Sequence, residues 1–174
     1  IARKFNNMYG YVFPEPETLI GKVGRLSGID GKGKMSKSQG NVILLSDTKE
    51  SVEKKVRSMY TDPNRIRAAI PGKIEGNPVF QYLDAFTEND KKVEEFKERY
   101  TTGNIGDVEI KNYLSNTLND FLEPIREKRA HFENNINLVE DALDNGVSNA
   151  RIIANETMEL VRDKMKISSY KKVW

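Results

Sequence analysis

DVEIKNYLSNTLNDFLEPIREKRAHF, residues 107–132, carries Ile110, Tyr113, Leu114, Leu118, Phe121, Leu122 and Ile125 at steps of three and four. That is the period of one face of an α-helix, and the spacing predicts the longest helix of the chain, with Pro124 expected to kink it. Working outward, Val79, Phe80, Leu83 and Phe86 give a second apolar face, and Val93, Phe96 and Tyr100 a third, closed by Gly103. Upstream, Ser46, Asp47 and Thr48 are N-cap candidates for a helix that buries Val52, Val56 and Met59. Thr61-Asp62-Pro63-Asn64 ends it, and a linker with Pro71, Gly72, Gly76 and Pro78 follows. Downstream, a last helix over roughly 147–167 is expected to bury Ala150, Ala154, Met158, Val161 and Met165. These stripes predict a mainly α, antiparallel helical assembly. Their spacing says nothing of what it binds.

The chain changes character near residue 46. Glycines at 10, 21, 24, 28, 31, 33 and 40, with Pro14 and Pro16, leave no room for a long helix. Residues 10–41 are expected to be loop with short extended pieces such as Thr18–Ile20, and Val42–Leu45 fits either a short strand or a loop anchor. The chain opens on Ile1 and runs directly into helical sequence, so we expect the natural protein to extend upstream.

At 174 residues the chain suits one ordinary domain or part of one joined to a smaller second. Its 37% hydrophobic and 31% charged residues argue against global disorder. The absence of cysteine removes disulfides and thiolate metal sites, and the single histidine, His131, removes most other metal arguments and is expected on a helix surface. No apolar stretch approaches the roughly 20 residues that span a bilayer, which leads us to expect a cytosolic protein. Charge is uneven: residues 1–41 carry seven basic against three acidic side chains, residues 102–146 four against nine, and residues 147–174 six against three. Surpluses this small more often mark solvated faces than a phosphate-rich partner.

One segment, Gly28-Ile29-Asp30-Gly31-Lys32-Gly33-Lys34-Met35-Ser36-Lys37-Ser38-Gln39-Gly40-Asn41, sets lysines and serines among glycines. Glycines let backbone approach a ligand, ammonium groups neutralise charge and hydroxyls donate hydrogen bonds, so the composition suits a mobile loop folding over phosphates. A solvated surface loop explains it equally well on physical grounds. It is not a Walker A loop, because the Gly-Lys-Ser/Thr order and the strand-to-helix frame are absent.

Lys34-Met35-Ser36-Lys37-Ser38 is identical to the KMSKS signature of class I aminoacyl-tRNA synthetases, and Gly40-Asn41 follows it. The chain further resembles the bacterial tryptophanyl-tRNA synthetases at Thr61-Asp62-Pro63, Pro71-Gly72-Lys73, Glu75-Gly76-Asn77-Pro78-Val79-Phe80, Gly106-Asp107-Val108, Leu122-Glu123-Pro124-Ile125-Arg126 and Ala150-Arg151. The resemblance covers essentially residues 1–167. It implies the end of a Rossmann-type α/β catalytic domain over 1–46, a helical tRNA anticodon-binding region over 47–167 and a tail over 168–174. It also implies that the protein activates tryptophan with Mg-ATP and transfers it to tRNA(Trp), as a homodimer at full length, with no metal bound by the protein itself.

By the motif match, Lys37 is the principal pyrophosphate contact, with Lys34 a second contact or a loop-positioning group. Ser36 and Ser38 supply hydrogen bonds, Met35 packs near the adenine, and Leu26, after Arg25, lies beside the nucleotide. Arg151 and Arg162 are the tRNA candidates: eleven residues is about three helical turns, which places both along one side of the last helix. Lys164, Lys166, Lys171 and Lys172 add charge there. The family also carries a HIGH-type motif that this chain lacks, and the indole pocket is expected upstream, so the fragment is expected to be inactive alone. Another class I synthetase, such as the tyrosyl enzyme, and a non-catalytic helical RNA-binding module are the alternatives.

Overall fold

The computed structural model describes residues 1–21 and 23–167, so the expected tail and its Lys171 and Lys172 lie outside the described residues. The described residues are helical with irregular connections, and they contain no strand, only an isolated antiparallel bridge between Ser27 and Lys34. The helices are α1 Ala2–Tyr9, α2 Lys49–Arg57, α3 Pro78–Phe86, α4 Asp90–Thr101, α5 Asp107–Glu133 and α6 Ile136–Lys164. Val42–Leu45 is therefore loop, with Ile43 packed against the core as its anchor. The chain separates into two compact units, one of residues 20–130 and one built from residues 1–19 with the chain from His131 onward.

In the first of these units the helix starts obey side-chain chemistry. The Thr48 hydroxyl accepts from Ser51 N at 3.2 Å, the Asn77 side chain from Val79 N at 3.0 Å and the Asn89 side chain from Lys92 N at 3.1 Å, each satisfying a backbone donor that has no partner inside its helix. Pro78 opens α3 at the one place where its missing N–H costs nothing. Of the three cap candidates before α2, Asp47 takes another role. Its carboxylate accepts from Leu44 N, the Ser51 hydroxyl and the Lys55 ammonium, which together outweigh its desolvation and hold it below the usual carboxylate range.

The apolar faces meet largely as their spacing predicts, although Phe121 of the expected α5 face lies exposed. Val52, Val56 and Met59 of α2 and the turn after it, Val79, Phe80 and Leu83 of α3, Val93, Phe96 and Tyr100 of α4, and Ile110, Leu114, Leu118 and Leu122 of α5 form one buried cluster. Each such side chain contributes about 1.5–3 kcal/mol relative to exposure. Two basic residues pin the connections. Arg65 is 6% exposed, donates to Ala68, Ile70 and Ile105 carbonyls, pairs with Asp107 at 2.9 Å and lies over the Tyr100 ring. The Lys111 ammonium caps the end of α2 on the Arg57 and Met59 carbonyls, and burial there pushes its pKa down.

The second unit departs from the sequence reading. Its helix α6 begins at Ile136, eleven residues before the expected start, and at 29 residues it exceeds the 27 of α5. The helix runs through Gly146, since an interior glycine costs only about 1 kcal/mol against alanine, too little to stop a long helix. Of the side chains expected to be buried, Val161 is buried and Met165 half-buried, whereas Ala150, Ala154 and Met158 are exposed. Helical period settles which face is apolar; it cannot settle whether anything covers that face. At the start of this unit, Asn6 ties down the turn after α1, accepting from Val12 N and Phe13 N and donating to Phe13 O, while the Phe5 and Phe13 rings meet edge to face.

Candidate functional site

Ser27–Asn41 folds as a compact loop, with helix α3 and the turn after α2 lending residues to its base. Its backbone closes through Gly28 N to Gly33 O at 2.7 Å and Gly31 N to Gly28 O at 2.9 Å. Asp30 caps this turn by accepting from Lys32 N, a bond that leads the causes lowering its pKa. Lys37–Gln39 forms a single turn of 3-10 helix ended by Gly40 in the left-handed conformation.

Asn41 holds these parts together. It is 4% exposed, and its backbone carbonyl and side-chain amide bond within the loop. The backbone carbonyl accepts from Ile29 N at 3.0 Å, the side-chain oxygen accepts from Ser36 N at 2.7 Å, and the side-chain nitrogen donates to Asp30 at 3.1 Å. Gly28 faces the Asn41 amide so closely that a Cβ would sit 2.3 Å from its nitrogen. The glycine is therefore required by the asparagine.

The residues singled out in the sequence fall as follows. Lys34 and Lys37 are exposed, and among the described residues no carboxylate lies within 4.0 Å of either ammonium. Unpaired cations on an ordered turn are available to an anionic ligand. The Ser36 and Ser38 hydroxyls are 2.9 Å apart and hydrogen-bonded to each other. Met35 is partly exposed, with its sulfur accepting from the Tyr82 hydroxyl at 3.3 Å. Leu26 is half-buried against the helical core, and Arg25 is exposed. Arg151 and Arg162 both lie exposed on α6, about 16 Å apart along its axis, in the other unit. His131 is exposed, as expected of a helix-surface residue.

The sequence reading did not find the residues that support the loop from outside. Gln81, Tyr82 and Tyr60 do this: Tyr60 N donates to Ile29 O at 2.8 Å, and the other two grip Ser27. For Gln81 and Tyr82 the only signal was position, since α3 starts at the Pro78 of the Glu75-Gly76-Asn77-Pro78 segment. No group of three metal-capable side chains occurs among the described residues, and none of their helices is long and apolar enough to cross a membrane.

Comparison with known proteins agrees with the loop. The family described as class I tRNA synthetases (W and Y) matches residues 1–123. The tryptophan–tRNA ligase of Chlamydia caviae is 54% identical over 97% of this chain and 49% of its own length. That of Treponema pallidum is 50% identical over 97% of this chain and 50% of its own length. The crystal structure of tryptophanyl-tRNA synthetase from Campylobacter jejuni complexed with ADP and tryptophan superposes with a TM-score of 0.70 at 30% identity, covering 95% of this chain and 51% of that one. The chain thus spans about half the length of the relatives it matches.

Proposed function

Because this chain belongs to the class I tRNA synthetase family of the tryptophan and tyrosine enzymes, we propose that it is the C-terminal part of a tryptophan–tRNA ligase. In this reading residues 1–46 end the catalytic domain, residues 47–167 form the tRNA-binding region, and the whole enzyme works as a cytoplasmic homodimer on tRNA(Trp), ATP and L-tryptophan. The division is one of role, and it cuts across the compact unit of residues 20–130. The observation that carries the proposal is the ordered loop that presents Lys34 and Lys37 without carboxylate partners.

The chemistry follows from charge. The tryptophan carboxylate attacks the α-phosphate of ATP in line, the bond to the pyrophosphate oxygen breaks, and negative charge grows on the departing pyrophosphate. A magnesium ion arriving with ATP neutralises part of that charge. Lys37 and Lys34 supply further cationic donors, and the Asn41-held turn places them in advance, so little reorganisation remains at the moment of reaction. Ser36 and Ser38 exchange their mutual hydrogen bond for phosphate oxygens.

Amino-acid-dependent ATP–pyrophosphate exchange by the full-length protein tests this directly. Exchange driven by tryptophan and not by tyrosine is the expected result. Preference for tyrosine would transfer the chain to the tyrosyl enzymes, and no exchange with either would favour a non-catalytic RNA-binding protein. The 174-residue chain alone is expected to show none.

A further inference from the structure

We propose that Gln81 and Tyr82, neighbours on α3, are positioning residues that root the lysine loop at Ser27. The inference rests on the synthetase reading above. Every polar group of Ser27 is engaged by this pair: the Gln81 side-chain oxygen accepts from Ser27 N at 3.3 Å and from the Ser27 hydroxyl at 2.7 Å, while the Tyr82 hydroxyl donates to Ser27 O at 3.0 Å. Ser27 is also one end of the bridge to Lys34, so the root fixes the strand of loop from which the lysines depart.

The same Tyr82 hydroxyl lies 3.3 Å from the Met35 sulfur, at the tip between Lys34 and Ser36. One hydroxyl has one proton, so it serves the carbonyl or the thioether, and the thioether is the weaker acceptor. The root contact is therefore the stronger of the two, and the contact to Met35 the weaker. Tyr82 is 2% exposed, and burial pushes its pKa up to about 12, which keeps it a donor across the working pH range. Gln81 and Tyr82 touch no reacting atom in this account. They set where the lysines stand.

The test uses the full-length protein, reading single-turnover adenylate formation and the KM for ATP. Gln81→Leu removes the acceptor and is expected to slow adenylate formation about tenfold while the KM for ATP moves less than about threefold, because the loss falls on placement in the transition state. Gln81→Glu keeps an acceptor oxygen and is expected to restore most of the rate. Tyr82→Phe keeps the buried ring, loses the donor and is expected to slow the step severalfold. In a Lys37→Ala background the Gln81→Leu loss should largely vanish, since both changes remove the same contribution. Full additivity, or equal losses in Gln81→Leu and Gln81→Glu, would overturn the proposal. If Lys37→Ala alone has no effect, the synthetase reading of the loop fails instead. Hydrogen exchange then still judges the rooting: faster exchange across residues 28–41 in Gln81→Leu supports it, and unchanged exchange sinks it.

Discussion

Lys37 has a charge to contribute and no structural bond to lose, whereas Asn41 has only structure to contribute. Lys37→Ala in the full-length protein should therefore raise the barrier to adenylate formation by roughly 2–4 kcal/mol, the size of losing one preorganised donor, with folding stability unchanged. A melting transition that falls together with the rate would show that the ammonium is structural after all. Gly28→Ala makes the converse case. The added methyl displaces the Asn41 amide, and with it the bonds to Ser36 and Asp30. Adenylate formation should fall about as far as in Lys37→Ala, while urea denaturation changes by less than about 1 kcal/mol because the loop lies outside the helical core. The lysines and serines were legible in the sequence because their chemistry is written in the residue type. Gln81 and Tyr82 were not, since a glutamine or tyrosine on a helix has no distinctive spacing and acquires its role only when the fold sets it opposite Ser27, more than fifty positions away.

Helices α2 to α5 followed from their apolar periods because each face found a partner within the chain, and the period therefore also gave the core. Helix α6 shows where that logic stops: its stripe was read correctly as apolar and wrongly as buried. Connections are held by different means. Arg65 is the case with the most at stake, since its guanidinium satisfies carbonyls within the linker between α2 and α3 and before α5. Arg65→Ala should cost about 3 kcal/mol in urea denaturation, and Arg65→Lys should not restore it, because a point charge cannot replace the planar fork. Recovery of full stability by lysine would reduce the site to its ion pair with Asp107. On α6, Arg151→Ala and Arg162→Ala in the full-length protein should weaken tRNA binding, less so as salt rises, and leave tryptophan activation nearly unchanged. Unchanged affinity at low salt would remove this face of the helix from the tRNA surface.

The two compact units differ in how well each is sealed. The unit of residues 20–130 encloses the aliphatic and aromatic cluster, while the other carries Ile136, Leu143, Val147 and Ile153 exposed along α6. Helix propensity alone holds a long isolated helix weakly, so backbone amides over 136–160 should exchange with solvent at least about tenfold faster than those of α3 to α5 when the chain is studied alone. Equal protection would mean that something within the chain covers the stripe. This asymmetry is not legible in the sequence, which marks which side chains avoid water and not which of them meet. The same division carries a temporal consequence. Residues 20–130 are contiguous, so that unit can close as soon as Ala130 has cleared the ribosome, whereas residues 1–19 are made before it and must wait for the segment after His131. At roughly 5–20 residues per second, that wait lasts on the order of ten seconds. Throughout it the Phe5–Phe13 turn stands as a nascent apolar segment without the later half of its own unit.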